Sequence, residues 1–288
     1  MSWRTVVVRE NAKLDLSLGH MVIRQAKTTR INLNEVATVI IESTAVSITA
    51  SLINELVKQK IKVVFSDEKR NPCCELIPHH GSYDSSLKIK MQIAWTDTAK
   101  EQVWTDIVRE KIRNQMLHLK ELDNPRAELL EKYLGEILPG DSSNREGHAA
   151  KVYFNALFGL DFTRNTPSDI NSALNYGYSL LSSAFSREIC NAGYLTQLGV
   201  FHDNLYNHFN LSSDFMEPFR PIIDREVVKM KPQKFDKEEK TQLLKLLNLE
   251  VTIDGRRQYL MNAIKIYCKS VIAVLNGEEG ASIKFYTL

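Results

Sequence analysis

Two glutamates and a histidine in the second half of the chain are of the residue types that hold a divalent cation. The first glutamate is Glu146, in the stretch SNREGHAAKVYFNALFG. A helix beginning near Asn144 places Glu146, Ala150, Tyr153 and Leu157 along one face, so a carboxylate heads an otherwise apolar stripe. A carboxylate turned toward a core needs an ionic partner, a hydrogen bond or a metal. The competing explanation is local. Ser143 and Glu146 have capping-box spacing, in which the glutamate turns back to the amide of its own helix cap. The histidine is His202, in QLGVFHDN, a loop position just past Gly199, which reads as a helix C-cap. His208 lies six residues on, and spacing does not separate the two.

The second glutamate is Glu217, in SSDFMEPFRPIIDR, where Asp214 and Glu217 stand at helical i and i+3 and share a face. Capping competes here too, since Asp214 suits an N-cap and Glu217 the third helical position. Pro218 fits both accounts, because it disfavours helical backbone at Glu217 and is able to start a helix itself. His79 and His80 are a further pair, but neighbours in an extended segment point opposite ways, so one cation would not use both. Lys151, Arg164, Arg187, Arg220 and Arg225 surround the acidic candidates in sequence, either as phosphate contacts or as solvated faces and salt bridges.

These side chains must be positioned by two unlike halves. WRTVVV, HMVIR, RINL and VATVIIE are short β-branched runs, and IKVVF is another. Between them TASLINELVKQK repeats Leu52, Ile53, Leu56 and Val57 at helical spacing. The linker-like stretch PHHGSYDSS, residues 78–86, marks a boundary. Beyond it, periodicity predicts helices near 85–95, 99–122, 124–138, 145–158, 169–198, 215–230, 236–247 and 256–275, with SIKFYTL a short strand or docked tail. Gly177 and Gly193 would bend the long helix or admit a close neighbour. The expected fold class is α+β. A small β-rich domain with one helix, residues 1–80, joins a larger all-α domain, residues 81–288.

The 288 residues suffice for two cores, and 43% apolar with 25% charged residues is ordinary globular composition. No apolar run approaches the roughly 20 residues that span a bilayer. The N-terminus lacks the features of a secretory signal, and a cytoplasmic location without membrane attachment is expected. Cys73, Cys74, Cys190 and Cys268 show neither zinc spacing nor a disulfide framework and read as buried thiols. Net charge is only +2, with 13 basic against 9 acidic residues over 1–95 and 24 against 26 over the rest. Charge alone therefore does not point to nucleic acid, and any phosphate contacts must come from local clusters or a surface shared with partners.

In their order, NREGHAAKVYFNALFG, NYGYSLLSSAFSREI, QLGVFH and DFMEPFRPIIDR resemble the diagnostic blocks of the CRISPR-associated adaptation integrase family. The opening WRTVVV and the SDEKRNP segment are similar to its type II-A branch, and the resemblance spans essentially the whole chain. It implies a homodimer, with residues 1–80 as the dimerisation domain and residues 81–288 as the catalytic one. It implies Glu146, His202 and Glu217 as metal ligands and catalytic residues, with Asp214 near the metal. The final ligand is Glu where some relatives carry Asp. One nitrogen and two carboxylates suit Mn²⁺, and Mg²⁺ is also served. The implied activity is metal-dependent insertion of captured double-stranded DNA at a leader–repeat junction, with a 3′-hydroxyl attacking a phosphodiester. The implied partners are a small ferredoxin-like protein in a four-plus-two complex, the effector nuclease and a further type II-A adaptation protein. Two alternatives remain: a non-catalytic DNA-binding scaffold, and a simple metal nuclease using water as its nucleophile.

Overall fold

The β-branched runs at the start of the chain pair into two four-stranded sheets, seen in a computed structural model that describes residues 4–76 and 82–288. Strands β1 (Arg4–Val8), β2 (Ala12–Ser17), β3 (His20–Arg24), β4 (Thr28–Asn32), β5 (Val36–Ile41) and β6 (Val46–Ile48) precede helix α1 (Ala50–Lys58). Strands β7 (Lys62–Ser66) and β8 (Pro72–Leu76) follow it. One sheet has the order β1-β5-β7-β8, parallel except for β8; the other runs β4-β3-β2-β6. β5 is buried along its whole length, as expected of a central parallel strand covered on both faces. Its alternation divides two cores. Val39 and Ile41, with Val63 of β7, face Leu52 and Leu56 of α1, whereas Ile40 and Val64 join the core of the helical half.

That half comprises α2 (Ser85–Ile93), α3 (Asp97–Glu121), α4 (Ala127–Leu134), α5 (Arg145–Phe158) and α6 (Asp169–Asn191). It continues through α7 (Asn210–Met216), α8 (Arg220–Met230), α9 (Lys237–Lys245) and α10 (Leu260–Leu275). α3 and α6 are its axes. α3 packs on α4, α5, α8 and α10, and α6 packs on α7, α8, α9 and α10. A Cβ at Gly177 would stand 2.3 Å from Ile223 Cγ2, so the glycine lets α6 and α8 approach closely rather than bending α6. The halves are also joined by polar contacts. Arg187 Nε donates to the Lys60 carbonyl at 3.1 Å, and Lys240 Nζ donates to the Lys69 carbonyl at 2.6 Å.

Several expectations need correction. α6 stops at Asn191 rather than near 198, closed by the Tyr194 amide donating to the Ile189 carbonyl at 3.1 Å and that of Gly193 to Cys190 at 3.0 Å. Gly199 therefore caps no helix. The span 215–230 is two helices joined by a 3₁₀ turn, Glu217–Phe219. The helix expected from 256 starts at Leu260. Before it, β9 (Glu250–Ile253) and β10 (Arg256–Tyr259) form a hairpin, and β11 (Tyr286–Thr287) completes a three-stranded sheet within the helical half. Only Cys268 is a buried thiol; Cys190 is half-buried, and Cys73 and Cys74 are exposed on the edge strand β8. The linker centre and the His79–His80 pair lie outside the described residues. Among the described residues no helix is long and apolar enough to cross a membrane.

Candidate active site

The loop before α5 frees Glu146 from capping. Gly140, Asp141 and Asn144 all have positive φ, and this turns the Asp141 carboxylate onto the start of the helix. Asp141 Oδ1 accepts from the Arg145 amide at 2.8 Å and Oδ2 from the Glu146 amide at 2.9 Å. Ser143 instead donates its hydroxyl to the Glu136 carbonyl at 3.3 Å, so the expected capping box is absent. The Glu146 side chain is left to reach across to α3, where Lys111 Nζ donates to its Oε1.

The same ammonium donates to Glu217 Oε2 at 2.5 Å. Glu217 sits in the 3₁₀ turn with φ −52° and ψ −46°, helical despite the following proline. The turn is pinned through the Pro218 carbonyl, which accepts from Asn114 Nδ2 at 3.0 Å and from the Tyr286 hydroxyl at 3.1 Å. Arg220 holds the other Glu217 oxygen at 2.9 Å and lies over the Tyr178 ring, 4.7 Å from its centroid. Burial pushes the Lys111 ammonium toward losing its proton, but the Glu217 and Glu146 carboxylates together outweigh it and raise its pKa. The Lys111 charge in turn holds the Glu146 carboxyl below the usual range.

Asp214 is not a cap either. It lies inside α7, fully buried, and organises the loop that carries the histidine. Its Oδ2 accepts from the Val200 and Phe201 amides at 2.6 and 3.1 Å, and its Oδ1 from the His202 amide at 3.0 Å. His202 Nδ1 lies 2.6 Å from Asp214 Oδ1, an arrangement that assigns a proton to Nδ1 and, in the neutral ring, leaves Nε2 with its lone pair. Gly199 is needed for this fit, since a Cβ there would meet the His202 carbonyl at 2.2 Å and Asp214 Oδ2 at 2.8 Å. The imidazole stands edge-on to Trp104 and Phe201, which stack on each other with centroids 4.3 Å apart. The hydrogen bond to Asp214 raises the His202 pKa against the effect of burial. Glu217 raises it further, and His202 lowers that of Glu146. His208 is exposed, its carbonyl accepting from the Thr196 hydroxyl at 2.8 Å.

The donor set matches the chemistry of a hard divalent cation: two carboxylates meeting at one cationic point and an imidazole with a fixed tautomer. As the side chains stand, Lys111 fills the point where the carboxylates meet, and among the described residues no three His, Cys, Asp or Glu groups are close enough together to hold a metal. The basic candidates divide. Arg220 belongs to the site. Arg164 lies beside it, over Tyr178 at 5.3 Å and bonded to Asn175 at 2.6 Å. Arg187 is ion-paired with Glu188, Arg225 with Glu121, and Lys151 is exposed. The reading from sequence missed Lys111 and Asp141. Lys111 had a visible signal: it interrupts the apolar stripe of α3 that runs through Trp104, Ile107 and Val108.

Residues 5–262 match the family described as CRISPR associated protein Cas1. A protein of Neisseria meningitidis serogroup C (strain 8013), named CRISPR-associated endonuclease Cas1, is 35% identical over 99% of this chain and 96% of its own length. Among solved structures, a casposase bound to integration product superposes with a TM-score of 0.78 at 17% identity, covering 97% of this chain and 92% of the casposase. A chain of a Cas6-RT-Cas1–Cas2 complex gives 0.72 at 16% identity, covering 96% of this chain and 35% of the larger one.

Proposed function

This chain belongs to the CRISPR-associated Cas1 family, and from that premise we propose that it is a divalent-metal-dependent DNA integrase of the adaptation step. It joins the 3′ ends of captured double-stranded fragments to the leader–repeat junction. The observation that carries the reading is the meeting of the Glu146 and Glu217 carboxylates, from separate elements, at one buried cationic point, with His202 held beside them by Asp214. The relative named an endonuclease and the casposase bound to its integration product support the reaction class.

The chemistry exchanges one phosphodiester for another. The attacking 3′-oxygen forms a bond to phosphorus, the bond to the 3′-oxygen of the cut strand breaks, and the proton of the attacking hydroxyl ends on that leaving oxygen. No energy cofactor is required. Glu146, Glu217 and His202 Nε2 would hold the Mn²⁺ or Mg²⁺, which when bound neutralises charge on the phosphate and lowers the pKa of the attacking hydroxyl. Asp214 fixes the ring and its tautomer. Arg220, held by Glu217 and the face of Tyr178, presents a guanidinium to a phosphate oxygen. The working assembly in this reading is a homodimer joined through residues 1–80, two of which flank a dimer of a small ferredoxin-like partner. The Cas1–Cas2 composition of the matched complex supports a partnered assembly. Fragment choice would fall to the effector nuclease and a further adaptation protein.

The test incubates the protein and its small partner with Mn²⁺, a short duplex labelled at its free 3′ ends, and a plasmid carrying leader and repeat. Label joined covalently to the plasmid supports the integrase. Cleaved DNA without a branched product identifies a nuclease using water, and binding without either product identifies a scaffold.

A further inference from the structure

Lys111 is an awkward residue for a metal site. Its side chain is 6% exposed, and its ammonium is bonded to one oxygen of each glutamate. A protonated lysine offers no lone pair, so it cannot join a coordination shell; it can only occupy the place of a cation. Other contacts hold the Glu217 carboxylate and the Glu146 backbone independently of it. Arg220 grips the other Glu217 oxygen at 2.9 Å, the Pro218 carbonyl is doubly hydrogen-bonded, and Asp141 fixes the Glu146 backbone. The lysine itself is a point charge on a flexible four-carbon stem, the easiest member of the cluster to move.

We infer that Lys111 is a resident counter-cation that exchanges with the divalent metal: the ammonium and the metal compete for Glu146 Oε1 and Glu217 Oε2. The inference rests on the metal-site reading above and adds a residue to it. Lys111 is thus a positioning residue, which holds two mutually repelling carboxylates together until the metal replaces it. The intact chain binds metal more weakly than the carboxylates alone would, because an ion pair must open first.

Calorimetric titration of the full-length chain with Mn²⁺ tests this without reference to turnover. Lys111→Met should bind Mn²⁺ roughly tenfold more tightly than the parent chain, and the gain should vanish in the Glu146→Gln, Lys111→Met double variant. Unchanged or weaker binding by Lys111→Met, with Glu146-dependent binding of the parent chain intact, overturns the exchange and leaves the metal site standing. Absence of Glu146-dependent binding in both proteins overturns the site and the exchange together. Should Lys111→Met fail to fold, the parent chain answers directly in a Mg²⁺ titration followed by ¹³C resonances of the lysine ε-carbons. The Lys111 signal, assigned by its loss in Lys111→Arg, should shift as Mg²⁺ binds, and an unmoved signal under saturating Mg²⁺ overturns the proposal.

Discussion

Two lysines are buried to nearly the same degree, and their surroundings send them in opposite directions. Lys62, on β7, is 5% exposed and faces one carboxylate, Glu75 of the neighbouring strand. Lys111, on α3, is 6% exposed and faces two. Burial lowers the pKa of Lys62 despite its partner, whereas the paired glutamates raise that of Lys111. One carboxylate faces the Lys62 ammonium, whereas around Lys111 two carboxylates are shared between two cations, Lys111 and Arg220. The first arrangement is an ion pair between neighbouring strands, and the second joins carboxylates from separate segments at one ammonium, the point read above as the proposed metal site.

The sharpest way to break this comparison is to remove a carboxylate from each region. Glu146→Ala or Glu217→Ala should reduce strand transfer by about 10³-fold or more while the chain keeps its fold by circular dichroism and the parent's mass by light scattering. Loss of fold along with activity would mean that the pair is structural, like Lys62–Glu75. Glu75→Gln should do the reverse: transfer stays within about twofold, while urea unfolding shows a loss of about 3 kcal/mol from stranding a buried ammonium.

Two buried groups sharpen the contrast because burial dominates both. Desolvation lowers the His118 pKa to about 4 and raises that of Asp224 to about 6. The signs oppose. His118 binds its proton less readily when folded, so its stability contribution is complete above pH 6.5 and is lost as pH falls toward about 4. Asp224 holds its proton more readily when folded, so its contribution is complete below pH 3.8 and is lost as pH rises through about 6. Each amounts to at most about 3 kcal/mol. The two nearly cancel between pH 4 and 6, and Asp224→Asn should unmask a steep acid loss that urea midpoints across this range will reveal. The smallest expected effect concerns the loop before α5. Asp141→Ala should lower stability by about 1–2 kcal/mol, whereas Ser143→Ala should change it by less than about 0.5 kcal/mol, both read from thermal midpoints.

The sequence carried the frame of the molecule further than its joints. α5 begins and ends where periodicity placed it, because Glu146, Tyr153 and Leu157 repeat along a single face and Gly159 follows. The overrun of α6 came from an apolar stretch, Tyr194 to Val200, that continues the pattern in a turn-rich segment folded over Asp214. The missed β9–β10 hairpin had a plain signal: Asp254-Gly255, both at positive φ, between alternating residues. At the site, spacing offered two caps that do not form. Asp141 displaces Ser143 through backbone conformations that no spacing encodes, and Asp214 turns toward residue 202 rather than to its own helix. Lys111 was legible as a charge on an apolar stripe, but its two partners come from segments 35 and 106 residues away. Only the fold brings them together.

The most direct test of the central claim puts the two regions in one transfer assay. Parent chain, Glu146→Gln and Glu75→Gln are incubated with the small partner, Mn²⁺, the 3′-labelled duplex and the leader–repeat plasmid, each with and without chelator. The account predicts label on the plasmid for the parent and Glu75→Gln, none for Glu146→Gln, and none in any lane with chelator. Transfer by Glu146→Gln at the parental rate, or transfer that survives the chelator, would contradict it.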